Sequence, residues 1–417
     1  MIRAYRGDIV YSADKDELRV FDDSYIIVKA GKVLEITKKL PQEYKNLEII
    51  DHSGKMIIPA FSDMHLHASQ YYQRGVGMDR LLLDWLNDYT FPQESRFEDM
   101  GYAERAYDLF TEDLINHGTL HASIFTTIHY EASDYLFNLL ERKGLYAYVG
   151  KLNMNQNCPP SLRENTKDSI LDTERFILEH QGGKTVSPII TPRFAISCTE
   201  ELIQGLGSLV KRYKVPVQTH LCESEEEMRT VSTLFPEYSY DSEIYLKYGL
   251  IGNSLSLMAH CIYLDEKDIK VLNSHGGVAV HCPDSNINVT AGLMPSASLA
   301  DTGMNLTLGS DIGGGHDIPI YRAVARAVQV SKIRVQLGLD QRKLSLTEAF
   351  YFATRAGGEC FGEMGAFDQG YHFNALVIDD ERFRGLEIGI SDRLERFCYI
   401  GDDRNIIARY VDGKLLD

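Results

Sequence analysis

The chain has 417 residues, 44% hydrophobic and 25% charged, room for one large domain with an appendage or for two to three average ones. Its net charge of −17 argues against binding a phosphate backbone or an anionic membrane surface, and no apolar run approaches the ~18 residues of a membrane span. The opening MIRAYRGDIVYSADKDELRV lacks the apolar core of a signal peptide, and seven dispersed cysteines without a CxxC pair suggest reduced thiols, so a cytoplasmic setting is expected.

In chain order, residues 1–57 carry strand-like YIIVKAGKVLEI, and residues 371–417 carry FNALVIDD and ARYVDGKLL, with Gly-containing turns at AGK and DGK. These two ends are expected to pair into one small β-domain. Between them lie eight apolar strand candidates: 55–67, 120–129, 145–153, 186–197, 215–221, 254–261, 276–282 and 304–311. Helical stretches separate most of them. FNLLERKG ends on Gly144 as a C-cap, and TEELIQGLGSLVKRYK starts on Thr199 as an N-cap. The run Glu225-Glu226-Glu227 reads as a solvated first helical turn. Eightfold strand–helix alternation predicts an α/β fold, a (β/α)₈ TIM-type barrel over 58–370.

In such a barrel the chemistry sits at the C-terminal strand ends. Those positions hold His65 and His67, then His129, Lys151 and Asn153, Arg193, His220, His260, His281 and Asp311. His65 and His67 are two apart, so in a strand they share a face. With His220 and Asp311 they make a three-imidazole, one-carboxylate set for one divalent metal, and that set leaves zinc and iron both open. Glu223, three residues past His220, can reach a metal-activated water or, alternatively, serve as a helix N-terminal acid. Trp85 reads equally as a face for an aromatic ligand or as a core residue with Leu81, Leu82 and Leu86. Lys151 is read as structural rather than as a carboxylated bridge between two metals.

Several motifs fail. GGKT (182–185) would need glycine at Leu178 to make a phosphate loop, and GVG and GLG lack the third glycine of a dinucleotide fingerprint. The HxE and PCxxC pair of cytidine-deaminase zinc sites is absent. The glycine-rich GSDIGGGHD is read as backbone making room around Asp311.

Taken together, HxH on strand one, histidines on strands five and six and Asp on strand eight resemble the mononuclear branch of the amidohydrolase superfamily. Longer phrases are more specific. HLHASQYYQRGVGMDRLLLDWLNDYTFP, ITPRFAISC, THLCESEEE, MAHCIYL, HCPDSN and GSDIGGGHDIPIYRAVARAVQVS resemble its guanine-deaminating family.

That resemblance implies hydrolytic deamination of guanine to xanthine and ammonia by a metal-activated hydroxide, in purine catabolism. It implies a zinc ion (or iron) on His65, His67, His220 and Asp311. It also implies catalytic roles for Glu223, His260 and Asp311, and purine contacts from Gln70, Arg193, Phe194 and Glu223. His67, His220, Asp311 and Trp85 would line the same pocket. The terminal domain would be a composite β-sandwich (1–57 plus 371–417), and the assembly a homodimer.

Two positions depart from the family pattern: Ala60 replaces a glycine before the HxH, and Cys222 replaces a serine after His220. The alternatives are a deaminase of another purine, a pterin or an S-adenosylhomocysteine-like substrate, a cyclic-amide hydrolase, or a metal-free assembly protein of the same fold. Guanine is distinguished from adenine by its O6 acceptor. Arg193 can only donate, and Gln70 is expected to offer both its carbonyl and its amide to the ring.

Overall fold

The two predicted Gly turns close hairpins. Lys29 pairs with Lys32 and Val411 with Lys414, and Ala30, Gly31, Asp412 and Gly413 all have positive φ. Positive φ at both central residues is the turn whose twist matches its flanking strands, and glycine adopts it without strain.

In the computed structural model, which describes residues 2–416, these hairpins belong to one seven-stranded sheet. Its order is Lys414–Leu415, Ile406–Val411, Ala375–Ile378, Glu48–Pro59, Ile2–Ser12, Leu18–Lys29 and Lys32–Thr37. Both chain ends therefore meet, and the Tyr5 hydroxyl donates to the Gly413 carbonyl at 2.7 Å across 408 residues of sequence. The pairing joins strands from both ends, as expected, into one hydrogen-bonded sheet. A bulge between Gly7 and Ile9 lets the long first strand stay in a single ladder. Tyr5, Phe373 and Tyr410 pack together beside it, the first two with centroids 4.3 Å apart.

The predicted strand 55–67 is in fact two. Met56–Pro59 pairs with the strand Ala375–Ile378 in the terminal sheet, and Phe61–His67 pairs with Thr119–Phe125. The crossing is Ala60, fully buried, whose N–H donates to the Asn374 carbonyl at 3.0 Å. Phe61–His67, Thr119–Phe125, Tyr146–Gly150 and Val186–Pro188 form one parallel arc. Val217–Leu221, Ser256–His260, Gly277–His281 and Asn305–Leu308 form another. An isolated bridge, Ile190 to Val217, joins the arcs on one side. On the other side the Asp311 N–H donates to the His65 carbonyl at 2.8 Å.

The fold is α/β of the TIM-barrel type, with helices such as Met100–Asn116, Glu200–Tyr213 and Ile320–Gln336 between strands. Its strands are buried on both faces, which is why they read as near-continuous apolar runs. Gly144 ends its helix at φ 76°, and Thr199 Oγ1 accepts the Leu202 N–H at 3.3 Å. The predicted strands 145–153 and 186–197 each break in two, and the leftover pieces Leu152–Asn153 and Thr191–Pro192 pair with each other. Pro188 and Pro192 lack the N–H that an unbroken ladder would need. Among the described residues, no helix is long and apolar enough to cross a membrane.

Candidate active site

Strand alternation brings His65 and His67 to one end of the arcs, where His220, His260 and Asp311 meet them. His65, His220, His260 and Asp311 each offer one atom within 4.8 Å of all the others. His67 joins them, with Nε2 3.4 Å from Asp311 Oδ1 and 3.2 Å from His220 Nε2. His65 Nε2 lies 3.2 Å from the same carboxylate oxygen. All five side chains are buried.

This donor set suits a cation. His220 Nδ1 donates to the Arg193 carbonyl at 2.5 Å, so its Nε2 is a bare lone pair aimed into the cluster. Among the described residues, His65 Nε2 and His260 Nε2 have no hydrogen-bond partner. Burial lowers the pKa of His65, His67, His220 and His260, favouring the neutral form that ligates. Burial pushes the Asp311 pKa up, but His65, His260 and His67 together outweigh it, and Asp311 lies below the usual carboxylate range. Three imidazoles and one carboxylate fit a single divalent metal.

Glu223 stands on the other side. Its Oε1 is 3.6 Å from His260 Nε2, which is also 3.8 Å from Asp311 Oδ2. His260 is fixed by Asn286 Oδ1 at 2.8 Å on its Nδ1. Burial, reinforced by Asp311, raises the Glu223 pKa well above its ordinary value. Backbone strain collects here: Cys222, His260 and Asp311 have φ of 52°, 73° and 49°. Non-glycine residues held in that region often mark functional sites.

A pocket opens in front of the cluster, walled by Leu82, Trp85, Leu86, Phe194 and Val289 and floored by His67, His220, Glu223 and Asp311. Trp85 is both wall and anchor, since its Nε1 donates to the Val76 carbonyl at 3.1 Å. Gln70 and Arg193 line the same pocket, each 2% exposed. Gln70 is already engaged on both ends of its amide: its Oε1 accepts the Gly313 N–H at 3.0 Å and its Nε2 donates to Glu94 at 2.8 Å, which leaves one N–H and the second lone pair of Oε1.

Other expected positions lie elsewhere. Lys151 is paired with Glu164 and donates to the Leu152 carbonyl at 3.1 Å, and Asn153 donates to Ser169 and Thr173. His129 begins the helix Tyr130–Lys143, and His281 is buried, with burial pulling its pKa down to about 3. Neither joins the metal-suited cluster. Glu227, read as solvated, is buried, and its Oε2 accepts the Glu223 N–H at 2.6 Å. Cys222 points toward Asp268, its sulfur 4.0 Å from Oδ2. The glycine-rich run does make room. A Cβ on Gly309 would sit 2.9 Å from the His65 backbone oxygen, and one on Gly314 would sit 3.3 Å from Asp311 Oδ2.

Sequence reasoning did not assign Asp63, Glu94 or Asn286. Asp63 accepts the backbone N–H groups of Ser310 (3.0 Å) and His65 (3.3 Å), tying the first strand to the segment after the eighth. Its period-two spacing from His65 was the available signal. Glu94 had none.

An amidohydrolase family model matches residues 56–416. A guanine deaminase of Rattus norvegicus is 35% identical, covering 98% of this chain and 95% of its own length. One from Escherichia coli (strain K12) is 31% identical, covering 100% and 98%. Among solved structures, a guanine deaminase from C. acetobutylicum with bound guanine in the active site superposes with a TM-score of 0.98 at 43% identity, covering both chains completely.

Proposed function

The chain belongs to the amidohydrolase family, and from that premise we propose that it deaminates guanine hydrolytically, giving xanthine and ammonia, a step of purine catabolism. One observation carries the reading: Gln70, Arg193 and Phe194 share a pocket with Glu223 and Asp311, in a chain that aligns end to end with guanine deaminases. We read the two arcs as one (β/α)₈ barrel, with the terminal sheet as a second domain that takes over at Ala60.

The metal ligands in this reading are His65, His67, His220 and Asp311, and the metal is zinc, with iron the other outcome of elemental analysis. His260 is left beside Glu223 for proton work, as its contacts with Asn286, Glu223 and Asp311 support. When bound, the metal supplies Lewis acidity that lowers the pKa of a water toward ~7.

Glu223 accepts a proton from the attacking water and delivers it to N3 of the base. Burial makes the protonated form accessible to it, which a shuttle between two partners needs. His260 orients the water between Glu223 and Asp311. A second proton, carried by Asp311 or Glu223, lets ammonia leave C2. Phe194 and Trp85 give apolar faces to the ring, and Arg193 donates to O6.

The family resemblance supports a homodimer, and seven free cysteines support a reducing, cytoplasmic setting. The test is direct. Metal-loaded protein is mixed with guanine, adenine, cytosine and a pterin, and xanthine and ammonia are followed. Xanthine from guanine alone is expected, and its absence would overturn the reading.

A further inference from the structure

Glu94 lies on the short helix Phe91–Ser95 and is completely buried. Its carboxylate is shared. Oε1 accepts from Gln70 Nε2 at 2.8 Å, and Oε2 accepts from Arg193 Nη1 at 2.6 Å. Gln70 and Arg193 line the pocket in front of Asp311 and Glu223, whereas Glu94 does not. The helix contributes a second constraint, since the Arg193 guanidinium lies 5.3 Å from the centroid of the Phe91 ring.

We propose that Glu94 is a positioning residue for base recognition, holding Gln70 and Arg193 in one frame so that their remaining N–H groups face the carbonyl edge of the purine. The proposal rests on the guanine-deaminating reading above.

Carboxylate oxygens only accept, so Glu94 dictates which end of the Gln70 amide faces it. The opposite amide orientation would set an acceptor against Glu94 and a donor against the Gly313 N–H. With Nε2 held by Glu94, Gln70 has one further N–H to give, and Arg193 can only donate. The wall therefore presents donors, which match the acceptor O6 and are left unpaired opposite an amine. Buried donors left unpaired are the strongest basis for rejecting an analogue. The hydrogen bonds to Glu94 also order two rotamer-rich side chains before substrate arrives, removing that ordering cost from binding.

The experiment measures kcat, KM, metal content and thermal midpoint for Glu94→Gln, Glu94→Asp, Arg193→Met and their double combinations. Misplacement of a positioned group costs up to ~10²-fold in kcat/KM. Glu94→Gln is expected to lose that order, chiefly through KM and with metal retained, and Glu94→Asp less. Inhibition by 2-aminopurine, which lacks the carbonyl, should change less than the guanine KM. Combined with Arg193→Met, the losses should multiply to less than their product, because the two residues act through one contact.

Wild-type KM in either Glu94 variant, or fully multiplicative losses, would overturn the proposal. Should Glu94→Gln fail to fold, Glu94→Asp and its double variant decide the matter alone. Wild-type protein that forms no xanthine would remove the functional reading and this proposal together. Active wild type with unaffected Glu94 variants would remove only this proposal.

Discussion

The Arg193 carbonyl accepts the Nδ1–H of His220 at 2.5 Å, while the guanidinium of the same residue faces the pocket. One residue thus fixes the tautomer of a metal-suited imidazole with its backbone and lines the pocket with its side chain. A shift of the strand end at Arg193 would disturb both.

His220→Ala removes one of four proposed ligands and is expected to strip the metal, since outer partners such as the Arg193 carbonyl cannot substitute for a lost nitrogen. Elemental analysis should find about one divalent ion per wild-type chain and almost none in the variant. A His220→Ala protein with full metal and full turnover would refute the ligand assignment.

Glu223→Gln should keep the metal and the fold and lose most turnover. The amide retains shape while removing the base, and such a loss typically costs ~10²–10⁴ in rate. Near-normal turnover would transfer the proton work to Asp311 or His260, which stand 3.8 Å apart.

Arg193→Met leaves the buried Glu94 carboxylate without its cation, and removing one partner of a buried pair costs about 3–5 kcal/mol. The variant should therefore unfold at lower denaturant than wild type, and adding Glu94→Gln should restore much of the loss. Equal midpoints for the single and double variants would show that the pair contributes no such coupling.

His121 gives an acid-sensitivity test away from the metal cluster. The Asn374 amide donates to its Nε2 at 2.8 Å, so Nδ1–H donates to Ser62 Oγ at 3.0 Å, and burial pulls its pKa down to about 3. Between its unfolded value near ~6.5 and that folded value, the unfolded chain binds a proton that the folded chain does not. The stabilisation is complete above ~6.5 and falls by up to ~1.4 kcal/mol per pH unit as pH drops toward 3. His121→Gln should flatten the fall of unfolding free energy with acid. An unchanged slope would show that His121 takes up its proton in the native state.

The histidines were legible because a strand repeats every two residues and a barrel gathers its strand ends, so His65, His67, His220, His260 and Asp311 stood among the strand-end candidates, together with His129 and His281, which position alone did not separate from them. Glu94 was not legible. It reaches Arg193 across 99 residues, on a short helix that continues the π-helical turn Leu86–Thr90, and no local period marks it. The division at Ala60 was hidden for another reason. MIIPAFSDM is buried without a break through the crossing, and periodicity does not record which sheet a strand joins. Glu227 was misread because helix capping explains a first-turn acid without reference to its neighbours, whereas burial depends on the loop carrying Glu223.

The bond from Tyr5 to Gly413 bears on how the chain is made. The two partners are 408 residues apart, which at ~5–20 residues per second puts the second on the order of half a minute behind the first. Until then the strand Glu48–Pro59 lacks its neighbour Ala375–Ile378 and exposes a bare edge in the nascent polypeptide. Completion of the sheet that leads into the first histidine-bearing strand therefore comes late after that strand is made, and a chaperone that shields nascent edges would act on this sheet.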